Sequence, residues 1–192
     1  MKNKKSFSKG SKSWAIFNHP AFARQSLWQM FTVALFPVQL WAAIVLFQEI
    51  PVLLLRLPMG EILGVVAYVE AFTLVEAGVI WLGLLFWALV LPGWFLRDQF
   101  VAQGTVMVLV SSVWAVLLQL NLSRFWQLNS RRQIAWVMGY LISVALFSYY
   151  VRQSQWFAGL MVGFVKRIEP LAILYLLAAI LGLVGVIIRN LG

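Results

Sequence analysis

The chain has no cysteine and only one histidine, His19. It therefore forms no disulfide and offers no thiolate metal ligand or cysteine nucleophile. One histidine also excludes a multi-histidine zinc site and a haem held by two histidines of one subunit. Catalytic chemistry is left to six acidic residues, and this composition favours a protein that is not an enzyme and holds no cofactor or metal. These residues are Glu49, Glu61, Glu70, Glu76, Asp98 and Glu169.

Charge is also scarce. Charged residues make up 11% of the 192 residues and hydrophobic residues 62%, against about 25% and roughly 45–50% in soluble domains. So few charged side chains do not cover the surface of a soluble protein of this size. Much of the surface must therefore face lipid, and the composition predicts an integral membrane protein.

Five apolar runs are long enough, or nearly so, to cross a membrane. A helix rises about 1.5 Å per residue, so the hydrocarbon core of about 30 Å needs about 20 apolar residues. The runs are apolar on every side, which excludes the alternating pattern of a membrane barrel. We predict an all-α polytopic membrane helix bundle of about five transmembrane helices, with spans at 27–47, 77–96, 101–120, 134–151 and 171–188.

The same pattern divides the chain into a basic tail with an interfacial segment, residues 1–26, and one transmembrane domain, residues 27–192. Two short apolar segments lie between charges or prolines. Residues 52–56 are bracketed by Pro51 and Pro58, and residues 156–165 are closed by Lys166 and Arg167. Both are too short to span, so we expect them at a membrane interface or, for the second, re-entrant.

The basic residues indicate an orientation. Six of them and no acid precede the first long apolar run. Positive charge is retained on the cytoplasmic side, so we expect a cytoplasmic N-terminus and, after five spans, a C-terminus on the opposite side. The expected location is a prokaryotic inner membrane. A basic tail next to a span is explained by anionic lipid, so no nucleic-acid partner is predicted.

Glu70 and Glu76 are the candidate ion or partner contacts, because both are embedded in apolar sequence. A carboxylate inside the membrane is a candidate functional group by default. The alternative is an external extension of the second helix. With a helix from about Glu61 to Leu91 and Trp94 at the inner interface, Glu76 lies near the outer boundary and Glu70 outside it. Six residues separate the pair by about 120° around the helix, which argues against a carboxylate dyad.

Basic residues near the ends of the spans are candidate lipid head-group contacts. They are Arg97, Arg131, Arg132, Lys166 and Arg167. Two small-residue spacings, Gly159/Gly163 and Ala178/Gly182, favour close approach of helices.

No motif identifies a reaction. In span count alone the chain resembles the membrane portion of lipoteichoic-acid-synthase-like and phosphoethanolamine-transferase-like enzymes, and no site residue follows from that resemblance. The leading hypothesis is a non-catalytic accessory, anchoring or assembly subunit of a larger membrane complex, with other membrane protein subunits as partners. The alternatives are a small transporter or proton/ion pathway using Glu70 and Glu76, and a membrane-embedded enzyme acting on a lipid-type substrate.

Overall fold

The structure is a computed structural model that describes residues 23–91, 99–127 and 129–191. Helices account for 95% of these residues, and none of them forms a strand. Five helices are long and apolar enough to cross a membrane. The all-α part of the prediction is therefore confirmed, whereas the N-terminal tail and Arg97 lie outside the described residues.

The described residues form five long helices and one short helix. Their order is α1 Arg24–Arg56, α2 Met59–Val90, α3 Phe100–Leu120, α4 Leu122–Gln127, α5 Ser130–Gln153 and α6 Gln155–Leu191. The turn between α1 and α2 follows from Pro58. Leu57 before it is extended, at φ −124° and ψ 145°, because a proline disfavours helical geometry in the preceding residue.

The three longest helices, α1, α2 and α6, pack against one another. The shorter α3 packs on α1 and α6, and α5 lies against the outer side of α3 with a smaller contact to α6. The main core cluster joins α1, α2, α3 and α6. Its buried members are Met30, Val33, Leu84, Ala88, Phe100, Val108, Val165 and Ile168.

Two predicted helices agree closely with the structure. The continuous helix expected from about Glu61 to Leu91 is α2, Met59–Val90, and the span 101–120 is α3, Phe100–Leu120. The fourth span, 134–151, is longer in the structure, because α5 runs from Ser130 to Gln153. The helix starts early because the Asn129 side chain accepts a hydrogen bond from the backbone N–H of Arg132, at 3.1 Å, and so caps its first turn.

The two short apolar segments are not separate helices, and their expected position at a membrane interface stays a prediction. Residues 52–56 belong to α1, which contains Pro37 and Pro51. Residues 156–165 and 171–188 form one 37-residue helix, α6, with Pro170 inside it. Proline removes one helical hydrogen bond, yet ending a helix in apolar surroundings leaves more backbone groups unpaired. Continuation through the proline is therefore the less costly choice.

One of the two small-residue spacings makes the expected close contact. Gly182 is buried on α6, and a Cβ added there would lie 2.6 Å from Cβ of Glu70 and 2.8 Å from the backbone oxygen of Ala67. Helices α2 and α6 therefore meet nearly backbone to backbone at this point. Gly159 and Gly163 differ, since an added Cβ would meet no described atom within 4 Å.

Candidate functional site

Glu70 lies at the junction of α1, α2 and α6. Its Oε2 accepts a hydrogen bond of 2.7 Å from Nε2 of Gln39 on α1, and its Cβ faces Gly182 of α6. Glu70 is half-buried, and Gln39 is buried with 3% of its surface exposed. The carboxylate therefore joins two helices through a polar contact inside an apolar bundle, where hydrogen bonds to a charged group are strong.

Glu76 points elsewhere. Its side chain is exposed, and within the described part of the chain it has no hydrogen-bond or ion-pair partner. The next residue, Ala77, is fully buried against α1 and α6, so Glu76 lies at the edge of the buried stripe of α2. The two glutamates thus face different surroundings, as their separation of about 120° implies.

Contacts between α2 and α6 fix the relative heights of these residues. The Arg189 side chain lies over Gly64, and Gly182 lies beside Glu70. Further along, Ala77 packs with Ala172 and with Leu35 of α1, and Leu84 packs in the cluster that holds Ile168. Residue numbers therefore fall along α2 as they rise along α6, and the helices are antiparallel.

Because of these relative positions along α2 and α6, any membrane layer drawn across the bundle contains charged residues. A layer of about 20 residues that avoids Lys166, Arg167 and Glu169 begins on α6 at Pro170. Because Ala172 is level with Ala77 and Gly182 with Glu70, that layer contains both glutamates. A layer that ends below Ala172 to avoid the glutamates contains Lys166, Arg167 and Glu169 instead.

The two choices differ in cost. A charge at the hydrocarbon centre costs about 2.5–3.5 kcal/mol on insertion scales. The first layer holds two carboxyl groups, one of them hydrogen-bonded to Gln39. The second holds three charges, of which Lys166 and Arg167 are exposed. The first layer also encloses 171–188, which contains no charged residue. It leaves out, however, the part of α6 from Phe157 to Val162, on which Ala102 and Val106 of α3 pack, so the position of the membrane layer stays a prediction.

The contact between Ala77 and Ala172 bears on two predicted spans. Span 77–96 was expected to have Ala77 at the outer boundary, and span 171–188 was expected to begin at the inner boundary. Ala77 and Ala172 nevertheless pack together in one cluster. The two ranges therefore do not both mark the same membrane layer, and the external position inferred for Glu70 stays a prediction.

The basic residues predicted to contact lipid head groups lie on different helices. Arg131 and Arg132 are exposed in the first turn of α5, whereas Lys166 and Arg167 are exposed within α6. Arg167 lines a cavity of about 590 Å³ with Trp156, Gly159 and Phe164. The structure brings none of these side chains to Glu70 or Glu76, and their contact with lipid head groups stays a prediction.

Sequence reasoning missed the polar pairs that join helices. Gln39 lies inside the predicted span 27–47 without a predicted partner, and the bond of 2.9 Å between Ser111 Oγ and Tyr140 Oη was not predicted. The Ser111–Tyr140 pair lines a groove of about 600 Å³ bordered by α2, α3 and α5. A polar residue within an apolar span is a signal for such a pair, but the sequence does not name the partner.

Among the described residues, no group of three or more His, Cys, Asp or Glu side chains is placed to hold a metal ion. Comparisons with the models of protein families, with curated proteins and with solved structures gave no match.

Proposed function

We propose that this protein is a non-catalytic polytopic subunit, an accessory, anchoring or assembly component of a larger complex in a prokaryotic inner membrane. Its N-terminus lies on the cytoplasmic side and its C-terminus on the opposite side. One observation carries the proposal. Large apolar side chains are exposed on α2 over a greater length than a bilayer covers.

Large apolar side chains are exposed along the whole of α2. They begin in its first turn and end at its last residue: Met59, Leu63, Tyr68, Phe72, Val75, Val79, Leu82, Phe86, Trp87, Leu89 and Val90. Exposed apolar area of this extent is unfavourable in water. These exposed side chains of α2 must therefore be covered by lipid, by protein, or by both.

The length of α2 decides whether lipid alone is sufficient to cover these side chains. Met59 and Val90 are the ends of a 32-residue helix, which at about 1.5 Å per residue places them about 46 Å apart. The hydrocarbon core is about 30 Å thick, and even a tilt of 40° leaves about 35 Å to cover. Lipid alone does not cover the exposed apolar side chains of α2 without deforming the bilayer, and a partner subunit would cover the remainder.

The experiment is blue-native electrophoresis of the source membrane after mild solubilisation, with the protein detected through a tag. We expect migration in a complex well above the 21.8 kDa of the single chain. A Phe86→Glu variant would place a charge among the exposed apolar side chains of α2, where Phe86 is 60% exposed, and should release the subunit from the complex.

The matched control is Trp126→Glu, because Trp126 is 72% exposed but lies on the short α4 rather than on α2. This variant should remain in the complex. Migration of the unmodified protein as a single chain in gentle detergent would contradict the proposed function.

A further inference from the structure

We propose that the groove bordered by α2, α3 and α5 binds a neutral lipid of the quinone type, in which a flat ring with carbonyl oxygens carries a long apolar tail. This inference goes beyond the subunit role and does not depend on it. Three observations carry it: an aliphatic groove, an aromatic cavity that adjoins it, and a pair of hydroxyl groups that lines both.

The groove provides space for an apolar tail. Its volume is about 600 Å³, and aliphatic side chains of three helices line most of it, among them Leu84 of α2, Val108 of α3 and Val144 of α5. It stays open because the backbone of α3 packs on α1 and α6 but hardly approaches α2. Binding sites for small molecules have volumes of about 300–1,000 Å³ and a mainly apolar lining.

The adjoining cavity, of about 260 Å³, is aromatic. Trp114, Phe125 and Trp136 line it, and it shares Ser111 and Tyr140 with the groove. The ring centroids of Trp114 and Trp136 lie 5.3 Å apart with their planes at 84°, and those of Phe125 and Trp136 lie 6.0 Å apart at 77°. A flat ring packs favourably against aromatic side chains arranged in this way.

The hydroxyl pair consists of Ser111 and Tyr140, whose Oγ and Oη lie 2.9 Å apart. The neighbouring Ser112 shows the usual state of a serine in an apolar helix, since its Oγ donates to the backbone oxygen of Val108 at 2.8 Å. Within the described ranges, the only hydrogen bond of the Ser111 hydroxyl is the one to Tyr140. Ser111 therefore bonds across to α5 instead of back to its own helix.

This hydroxyl pair keeps one proton to donate. Two hydroxyl groups have two protons, and the single bond between them uses one, whichever oxygen is the donor. The remaining O–H group has no acceptor among the residues that the structure describes. A donor without an acceptor is unfavourable in apolar surroundings, so a ligand that brings an acceptor oxygen gains a hydrogen bond here.

The lining of the two cavities selects a neutral acceptor. In the described part of the chain, no charged side chain lines either cavity, and an ionised phosphate or carboxylate is costly to bury without one. A carbonyl oxygen accepts a hydrogen bond without carrying a charge. A quinone-type lipid then fits all three features, with its tail in the groove, its ring in the aromatic cavity and one carbonyl at the hydroxyl pair.

Three ligands separate the contributions of ring, tail and carbonyl. The full chain in detergent is unfolded by heat in the presence of a decyl-substituted benzoquinone, of decylbenzene, or of methyl palmitate. Decylbenzene has the ring and the tail without oxygen, and methyl palmitate has a carbonyl and a chain without the ring. The rise of the unfolding temperature with ligand concentration gives each apparent Kd. We expect the quinone to bind roughly three- to tenfold more tightly than either comparison ligand.

Two variants assign this preference to the hydroxyl pair. Either hydroxyl alone still has a proton to donate, so both are removed together in Ser111→Ala/Tyr140→Phe. The double variant should bind the quinone no more tightly than decylbenzene. The matched control is Ser112→Ala, which removes a hydroxyl that lines the same groove but is bonded within its own helix, and it should keep the preference.

The ligand comparison on the unmodified chain needs no variant to be decisive. Equal Kd values for the quinone and decylbenzene would overturn the inference, because no hydrogen bond to the carbonyl would then form. Binding of methyl palmitate as tight as that of the quinone would also overturn it and indicate a site for lipid esters. A preference that persists in the double variant, or is lost in Ser112→Ala, would contradict the role of the hydroxyl pair.

Discussion

Replacement of Gly182 by leucine is expected to lower the free energy of unfolding by about 3 kcal/mol. A Cβ at this position would lie 2.6 Å from Cβ of Glu70 and 2.8 Å from the backbone oxygen of Ala67. These neighbours belong to the backbone of α2 or are held close to it, so no rotamer change relieves the overlap. The helices α2 and α6 must move apart, and their close packing is lost over at least a turn.

Gly163→Leu is the matched control, since it adds the same side chain to the same helix. An added Cβ at Gly163 would meet no described atom within 4 Å, and the expected change is within about 0.5 kcal/mol. Unfolding of the purified protein in detergent, followed by circular dichroism, measures both variants. Equal stability of Gly182→Leu and Gly163→Leu would contradict the α2–α6 contact.

The second large effect concerns the hydrogen bond between Gln39 and Glu70, 2.7 Å long. Replacing Gln39 by leucine leaves the half-buried carboxylate without its donor. We expect the free energy of unfolding to fall by about 2 kcal/mol, since an unpaired charged group costs more than a neutral one. Replacing both residues by leucine should recover most of this loss, because neither polar group then remains.

A double-mutant cycle with Gln39→Leu, Glu70→Leu and the double variant measures the coupling. The control is Gln48→Leu, an exposed glutamine of the same helix, which should change stability little. Additive effects of the two substitutions would show that the bond does not hold α1 to α2. Loss of a cation flux into proteoliposomes on Glu70→Gln, with stability unchanged, would instead favour the ion-pathway alternative.

The positions of α2 and α3 follow from the sequence because their apolar runs begin and end at clear signals. Pro58 precedes α2, and the backbone of each run is satisfied only within a helix. Helix α6 was divided in the prediction because Lys166, Arg167 and Glu169 precede Pro170. The structure continues the helix. Lys166 and Arg167 are exposed, and Val165 and Ile168, which flank them in sequence, are buried. Charge on one face of a helix does not end it.

The candidate site was predictable only in part. The 3.6-residue period shows that Glu70 and Glu76 face different surroundings. It does not show which one faces the bundle, because that depends on the helices that pack against α2. The partner of Glu70, Gln39, lies 31 residues away in sequence. The height of both glutamates depends on the pairing of Ala77 with Ala172, a contact between helices that no local pattern encodes.

The most direct test of the account is an accessibility profile at exposed apolar positions along α2. The chain has no cysteine, so a nitroxide attaches only to a cysteine introduced for the purpose. Suitable single replacements are at Leu63, Phe72, Val79, Phe86 and Val90, all more than half exposed. Collision with oxygen reports lipid and collision with a water-soluble nickel chelate reports water, both for purified protein in liposomes and for the native membrane.

We expect one end of the profile, Leu63 or Val90, to be accessible to the nickel chelate in liposomes, because α2 is longer than the hydrocarbon core is thick. In the native membrane that same end should be shielded from both reagents by the partner subunit. Accessibility of all five positions to oxygen, equally in liposomes and in the native membrane, would contradict the account, since lipid alone would then cover the exposed side chains of α2.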